Sequence, residues 1–275
     1  MAIKLIALDI DGTLLDSKLQ ITDETVRALT AAAERGIAIV LSTGRPALEC
    51  DYIVEKLPCI SYINGCTGAQ VVDVKAGKTV AGRYIPREEA KRLLDKIRDL
   101  DLMVCAFDPI TGQCHDDAKT LQYCISVSPP QIAKHLTKNH VGVESLDAYL
   151  DSVDKIIKFY MPCFSVSVID EVKHRLENEP YTVLQCGPSD VEVCPADTDK
   201  GTGLADLVQM LGIKVHEVMA IGDSENDLSM LRYAGLPVVM GNGSAEAKAL
   251  AKYITDDNDH DGVAKAVNMV LEGTL

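Results

Sequence analysis

Asp9 and Asp11 flank Ile10 and are followed by Gly12 and Thr13, so two carboxylates stand where the chain leaves an aliphatic run. Two nearby carboxylates can form an acid/base pair, or they can be turn residues that bond their own backbone, a common use of Asp-Gly. Asp223 follows a second apolar run, with Asn226 and Asp227 opening the helix that continues to Leu231. Three or four carboxylates in one apolar-walled crevice repel unless protons or a cation compensate them, and an oxygen-ligated Mg²⁺ does so economically. That ion keeps waters and accepts phosphate oxygens, which converts an acidic cluster into a phosphate site. Lys200 opens a helix in Asp199-Lys200-Gly201-Thr202-Gly203, where its ammonium can offset phosphate charge or, alternatively, pair at the surface with Asp197 or Asp199. Thr43 and Gly44, within Ser42-Thr43-Gly44-Arg45, suit donation to phosphate from hydroxyl and backbone, or an ordinary strand-to-helix turn.

The elements that must position these residues read as alternating α/β. Residues 3–8 form a short aliphatic run ending at Asp9, the pattern of a central parallel strand buried on both faces. Thr22 can cap a helix with Val26, Leu29 and Ala33 on one face and Gly36 at its end. A strand over 37–41, a helix over 48–57 and a strand over 59–63 follow, the last ending at Asn64 and Gly65. The rhythm resumes with a helix over 201–211 and strands over 218–221 and 237–240. Between them, residues 84–189 change character. A helix over 87–100, strands near 103–107, 155–160 and 182–185, and helices near 131–136 and 170–178 read as an inserted α+β domain. The expected division is therefore 1–83 with 190–275, and 84–189. Ligands of open parallel sheets bind beyond the carboxyl ends of the strands, and Asp9, Thr43, Asn64 and Asp223 all stand at such ends.

Composition narrows the partners. A formal net charge of −14 over 275 residues offers no basic face to nucleic acid or to an anionic membrane, and no apolar stretch reaches spanning length. The N-terminus lacks a signal-peptide pattern, which points to the cytoplasm; the oligomeric state is not readable. Nine cysteines are scattered singly, without zinc or redox spacing, and read as reduced packing thiols. The histidines are dispersed as well, so carboxylates must carry the chemistry.

Taken together, Asp9-Ile10-Asp11-Gly12-Thr13-Leu14, Ser42-Thr43-Gly44-Arg45, Lys200-Gly201 and Gly222-Asp223-Ser224-Glu225-Asn226-Asp227 resemble, in order and spacing, the four motifs of the haloacid dehalogenase superfamily. Val193 and Pro195 resemble the approach to the third motif. Met230-Leu231, Met240-Gly241-Asn242 and Asp261-Gly262-Val263 resemble the tail of its Cof-type sugar-phosphatase branch. The resemblance implies a Rossmannoid parallel-sheet core with a large α/β cap inserted between the second and third motifs. It implies Asp9 as nucleophile, Asp11 as general acid and base, and Thr43, Gly44, Lys200 and Asn226 as phosphate contacts. Magnesium would take Asp9, the backbone carbonyl of Asp11 and Asp223, supported by Asp227, with Ser42, Arg45 and Asn64 as secondary contacts.

The implied reaction is hydrolysis of a small phosphorylated metabolite, with sugar phosphates the best fit, through an aspartyl-phosphate. A phosphomutase would use the same motifs but return isomerised sugar phosphate in place of inorganic phosphate. A phospho-accepting signalling protein would form a long-lived phosphoprotein without turnover. The insert is expected to choose the substrate, with Asp108, His115 and Tyr123 as possible polar contacts. A calcium-loop start at Asp257-Asn258-Asp259-His260-Asp261-Gly262 lacks the required Glu, Asn268 standing in its place, and reads as a solvated acidic loop.

Overall fold

A computed structural model describes residues 2–127, 130–162, 165–187 and 190–275; Cys163, and Ser189 at the expected insert boundary, lie outside them. The chain begins with β1 (Leu5–Leu8), α1 (Asp23–Glu34), β2 (Ala38–Ser42), α2 (Asp51–Lys56), β3 (Ile60–Gly65), β4 (Gln70–Asp73) and β5 (Lys78–Gly82). It continues through β6 (Ile85–Pro86), α3 (Arg87–Ile97), β7 (Cys105–Phe107), β8 (Cys114–Asp117), α4 (Ala118–Val127), α5 (Pro130–Asn139) and β9 (His140–Val143). Then come α6 (Leu146–Ser152), β10 (Lys155–Ile156), β11 (Phe159–Pro162), α7 (Val166–Leu176), β12 (Tyr181–Gly187) and β13 (Asp190–Pro195). The last part is α8 (Lys200–Met210), β14 (Val218–Gly222), α9 (Leu228–Tyr233), β15 (Leu236–Val239), α10 (Ala245–Lys248), β16 (Tyr253–Ile254) and α11 (Gly262–Glu272).

Two compact units result: residues up to Gly82 with Asp199–Leu275, and Arg83–Thr198. In the first, an eight-stranded sheet runs β16-β15-β14-β1-β2-β3-β4-β5, parallel as far as β3 and antiparallel over β4 and β5. Ile6 and Leu8 of β1 pack into one apolar cluster with Leu29 and Val267, while Leu5 and Ala7 enter another with Leu204 and Met230. Burial on both faces is why this strand is continuously aliphatic rather than alternating. Thr22 caps α1 as expected, its hydroxyl accepting the Thr25 N–H at 3.2 Å. The buried face is Thr25, Ala28, Leu29 and Ala32, with Val26 and Ala33 only partly covered at its margin.

The second unit carries a six-stranded sheet, β12-β13-β11-β7-β8-β9, and a separate pair, β10 with β6. Its core sets Ala106, Phe159, Met161, Val191 and Val193 against α3, α6 and α7. Residues 190–198, expected in the first unit, belong here because β13 is hydrogen-bonded between β12 and β11. The single strand expected over 155–160 is two: β10 pairs with β6, whereas β11 pairs with β13 and β7. Short strands β4, β5, β8 and β9 were not anticipated, since polar residues interrupt their apolar pattern. No described helix is long and apolar enough to cross a membrane.

Within the first unit, α8 lies unusually close to the turn after β3. A Cβ on Gly203 would stand 2.1 Å from Asn64 Oδ1 and 2.7 Å from the Gly68 carbonyl oxygen, so only glycine permits this approach. Gly203→Ala should therefore cost about 1–3 kcal/mol in urea unfolding, despite alanine's better helix propensity. A cost below about 0.5 kcal/mol would show that the helix can back away without penalty.

Candidate active site

Strands β14, β1, β2 and β3 are consecutive and parallel, so their carboxyl ends place Asp223, Asp9, Thr43 and Asn64 along one edge of the sheet. Asp9 is almost fully buried, and Lys200, at the first turn of α8, is completely so. The Lys200 ammonium donates to Asp9 Oδ1 at 2.7 Å, Asp227 Oδ1 at 2.7 Å and Asn226 Oδ1 at 3.2 Å. Neither Asp197 nor Asp199 takes it: Asp199 caps α8, accepting the Thr202 N–H at 2.7 Å. The other oxygen of Asp227 accepts the N–H groups of Asp223 and Ser224 at 2.9 and 3.1 Å. Asp227 thus ties the turn after β14 to the lysine, and both of its oxygens are engaged.

Asp223 accepts the Thr13 hydroxyl at 2.9 Å. Gly12, at φ +85°, passes so near that a Cβ there would lie 2.7 Å from Asp223 Oδ2. Asn242 donates to the Gly12 carbonyl at 2.8 Å and so holds the loop that carries Asp11. In the sequence Asn242 stands in a family-like tail with no role assigned, since no local pattern marks a contact across 230 residues. Asn64 donates to Ser42 Oγ and to the Lys200 carbonyl, both at 2.9 Å, making Ser42 and Asn64 supports of the lysine's backbone. Thr43 is buried, with its hydroxyl accepting the Arg45 N–H at 3.2 Å, and Gly44 follows it half-buried.

Asp11 stands apart from the buried group. Its side chain is 54% exposed and receives the Arg45 guanidinium as a two-pronged fork, Nε to Oδ2 at 3.0 Å and Nη2 to Oδ1 at 2.6 Å. Arg45 is therefore a partner of Asp11 in this state. The Asp11 carboxylate is accordingly not among the clustered acids, which are Asp9, Asp223 and Asp227, with one oxygen of each within 4.8 Å of the others.

Burial pushes the Asp9 carboxyl up to about 7; Lys200 pulls it down, while Asp227 and Asp223 push it further up. Burial likewise raises Asp223. Burial opposes the charge on Lys200, but Asp9 and Asp227 outweigh it and hold the ammonium protonated. Three carboxylates against one ammonium leave two negative charges, the deficit that one divalent cation neutralises. Asp9 and Asp223 are hard oxygen donors, as Mg²⁺ requires, whereas the oxygens of Asp227 are already committed. The residues present fit that ion. The carboxylates of the 257–262 loop, by contrast, are dispersed: Asp259 accepts Ser17 N–H, Asp261 accepts the Thr22 hydroxyl, and Asp257 bonds His260.

Removing the lysine would strand Asp9 and Asp227 in the interior. Lys200→Met should destabilise the chelator-treated protein by about 3–5 kcal/mol in urea unfolding, and adding Asp9→Asn should recover part of the loss. A single-variant loss below about 1 kcal/mol would mean that the carboxylates relax to solvent instead.

The geometry has counterparts. The family model for haloacid dehalogenase-like hydrolases matches residues 6–267. A 5-amino-6-(5-phospho-D-ribitylamino)uracil phosphatase of Bacillus subtilis is 29% identical over 265 residues, covering 96% of this chain and 94% of its own. A pyridoxal phosphate phosphatase of Escherichia coli is 27% identical, covering 97% and 98%. The crystal structure of a haloacid dehalogenase-like hydrolase from Bacteroides thetaiotaomicron superposes with a TM-score of 0.84 at 28% identity, covering 98% of this chain and 99% of its own. With its motifs gathered on one sheet edge and the family match spanning nearly its whole length, the chain belongs to the haloacid dehalogenase-like hydrolases, in their Cof-type branch.

Proposed function

We propose that the protein is a magnesium-dependent phosphatase that hydrolyses a small phosphorylated metabolite through an aspartyl-phosphate on Asp9. The observation that carries this reading is a buried Asp9 held at 2.7 Å by a buried Lys200, beside the carboxylates of Asp223 and Asp227. With Oδ1 engaged by the lysine, Oδ2 of Asp9 is left to attack phosphorus in line, forming an O–P bond as the bond to the leaving oxygen breaks. Asp9 and Asp223 are the residues that would hold magnesium, and the ion would supply positive charge for the phosphate oxygens.

Lys200 neutralises a second side of the transferred group, with Thr43 and Gly44 placed to donate to it at the neighbouring strand end. Asp11 gives a proton to the departing alkoxide, then accepts one from the water that cleaves the aspartyl-phosphate and releases inorganic phosphate. Its fork with Arg45 engages both carboxylate oxygens before substrate arrives. An incoming phosphate offers Arg45 another anion and so releases the Asp11 side chain toward the leaving oxygen. The second unit contains none of these residues, which supports a role for it in selecting the leaving group. Relatives are named as phosphatases of 5-amino-6-(5-phospho-D-ribitylamino)uracil and of pyridoxal phosphate, in keeping with small metabolites; a sugar phosphate is our choice within that class. Reduced thiols at Cys50, Cys59, Cys105 and Cys124 support a cytoplasmic setting.

Release of inorganic phosphate across a panel of phosphorylated metabolites, with and without Mg²⁺, tests the reading directly. Asp9→Asn should stay folded and lose at least about 10⁴-fold in turnover. Substantial phosphate release by that variant, or full activity after exhaustive chelation, would sink the mechanism. Asp11→Asn should slow phosphoenzyme formation in single turnovers by about 10²-fold or more with an alkyl phosphate and far less with an aryl phosphate, whose phenolate leaves without a proton. Equal losses would count against acid catalysis.

A further inference from the structure

The second unit holds a buried group that the phosphatase reading does not use. Cys105 on β7 and Asp116 on β8 are register partners in an antiparallel pair, so their side chains share one face of the sheet. His140 opens β9 beside Cys114, two residues from Asp116 on the same face of β8. Three neighbouring strands, β9 at the sheet's edge among them, thus contribute a thiol, a carboxylate and an imidazole, with ligand atoms within 4.8 Å of one another.

Asp116 is completely buried and the His140 side chain is only 3% exposed. Asp116 Oδ2 lies 2.7 Å from His140 Nδ1 and the Cys105 thiol stands against the same carboxylate, yet Oδ1 has no hydrogen bond of good geometry among the described residues. A buried carboxylate oxygen left unpaired costs about 1–3 kcal/mol or more, and a partly satisfied polar cluster is worse than an apolar one. Packing alone does not account for such a group. A cation does.

We propose that Cys105, Asp116 and His140 form a zinc-binding site inside the second unit, separate from the acidic cluster that the phosphatase reading assigns to magnesium. A thiolate and a carboxylate bring two negative charges and a neutral imidazole brings none, which matches one Zn²⁺. The sulfur and nitrogen donors select against Mg²⁺ and Ca²⁺, which take oxygen. Ligands about 2.0–2.3 Å from zinc lie roughly 3.3–3.8 Å apart in a tetrahedron, so the Asp116–His140 pair must open from 2.7 Å while the remaining spacings, all within 4.8 Å, need only a small adjustment. On binding, the Cys105 thiol proton passes to solvent, sulfur and carboxylate oxygen ligate the metal, and the Asp116–His140 hydrogen bond gives way to metal contacts. The site ties β7, β8 and β9 together and gives the unit a structural cross-link that the scattered cysteine spacing did not suggest.

The test uses the full chain, stripped with chelator, kept reduced with a phosphine and saturated with Mg²⁺ so that the acidic cluster is occupied. Zinc titration by calorimetry should show about one equivalent bound, with micromolar or tighter affinity. Cobalt in its place should give a thiolate-to-metal charge-transfer band. Cys105→Ser, Asp116→Asn and His140→Gln, each checked for folding by circular dichroism, should weaken zinc binding at least about tenfold, since even loss of an outer-shell partner costs that much. Asp223→Asn should leave it unchanged. No zinc uptake, no thiolate band with cobalt in the unmutated protein, or binding that follows Asp223 rather than Cys105 would overturn the proposal. None of these outcomes depends on phosphatase activity, so the two readings fail separately.

Discussion

A fully buried ammonium between two buried carboxylates sets the terms for the rest of the first unit. Desolvating Lys200, Asp9 and Asp227 costs several kcal/mol per ion, and short, well-directed contacts must offset that cost. Those contacts come from three places in the chain: the end of β1, the first turn of α8 and the turn between β14 and α9. None is close to another in sequence. The parallel pairing of β1 with β14 therefore has to be in register for the charges to meet, and each pairing error would leave an ion stranded.

Several otherwise unrelated features serve this constraint. Asn64 holds the Lys200 carbonyl, Gly203 lets α8 approach that asparagine, and Asp227 spends its second oxygen on the turn that presents Asp223. Gly12 gives Asp223 its room and Asn242 fastens the Gly12 carbonyl. The result is a preorganised acidic cluster with one cation already built in and a deficit of two charges, in keeping with the phosphate and magnesium site proposed above. Asp11, exposed and forked to Arg45, is the one acid in the motif that can change partners. That exposure suits the acid/base role proposed for Asp11, just as burial suits the fixed position proposed for Asp9 and Lys200.

The second unit solves a different problem. Its sheet buries one face against α3, α6 and α7, and on the other face it carries polar groups that must find partners among themselves. Lys158 and Glu192 do so as a buried ion pair, the lysine also lying over the Phe107 ring. Cys105, Asp116 and His140 do so only in part, and that shortfall is what points to a metal.

What could be read locally was legible. Strands buried on both faces appear as aliphatic runs, Thr22 announces its helix by the hydrogen bond it makes three residues on, and motif residues fall where such runs stop. The first unit was therefore readable from composition and period, and Asp9, Lys200 and Asp223 from motif order. The insert was read less well, because β8 and β9 are short and polar, and because Val193, on the approach to Lys200, belongs to a strand of the second sheet. Tertiary structure alone decided which charges meet: that Lys200 chooses Asp9 over its neighbour Asp199, that Arg45 holds Asp11, and that Cys105, Asp116 and His140 converge. The reason is that a strand's sequence encodes its period and its ends, while the residue beside it across the sheet is set by register with a partner that can lie anywhere in the chain.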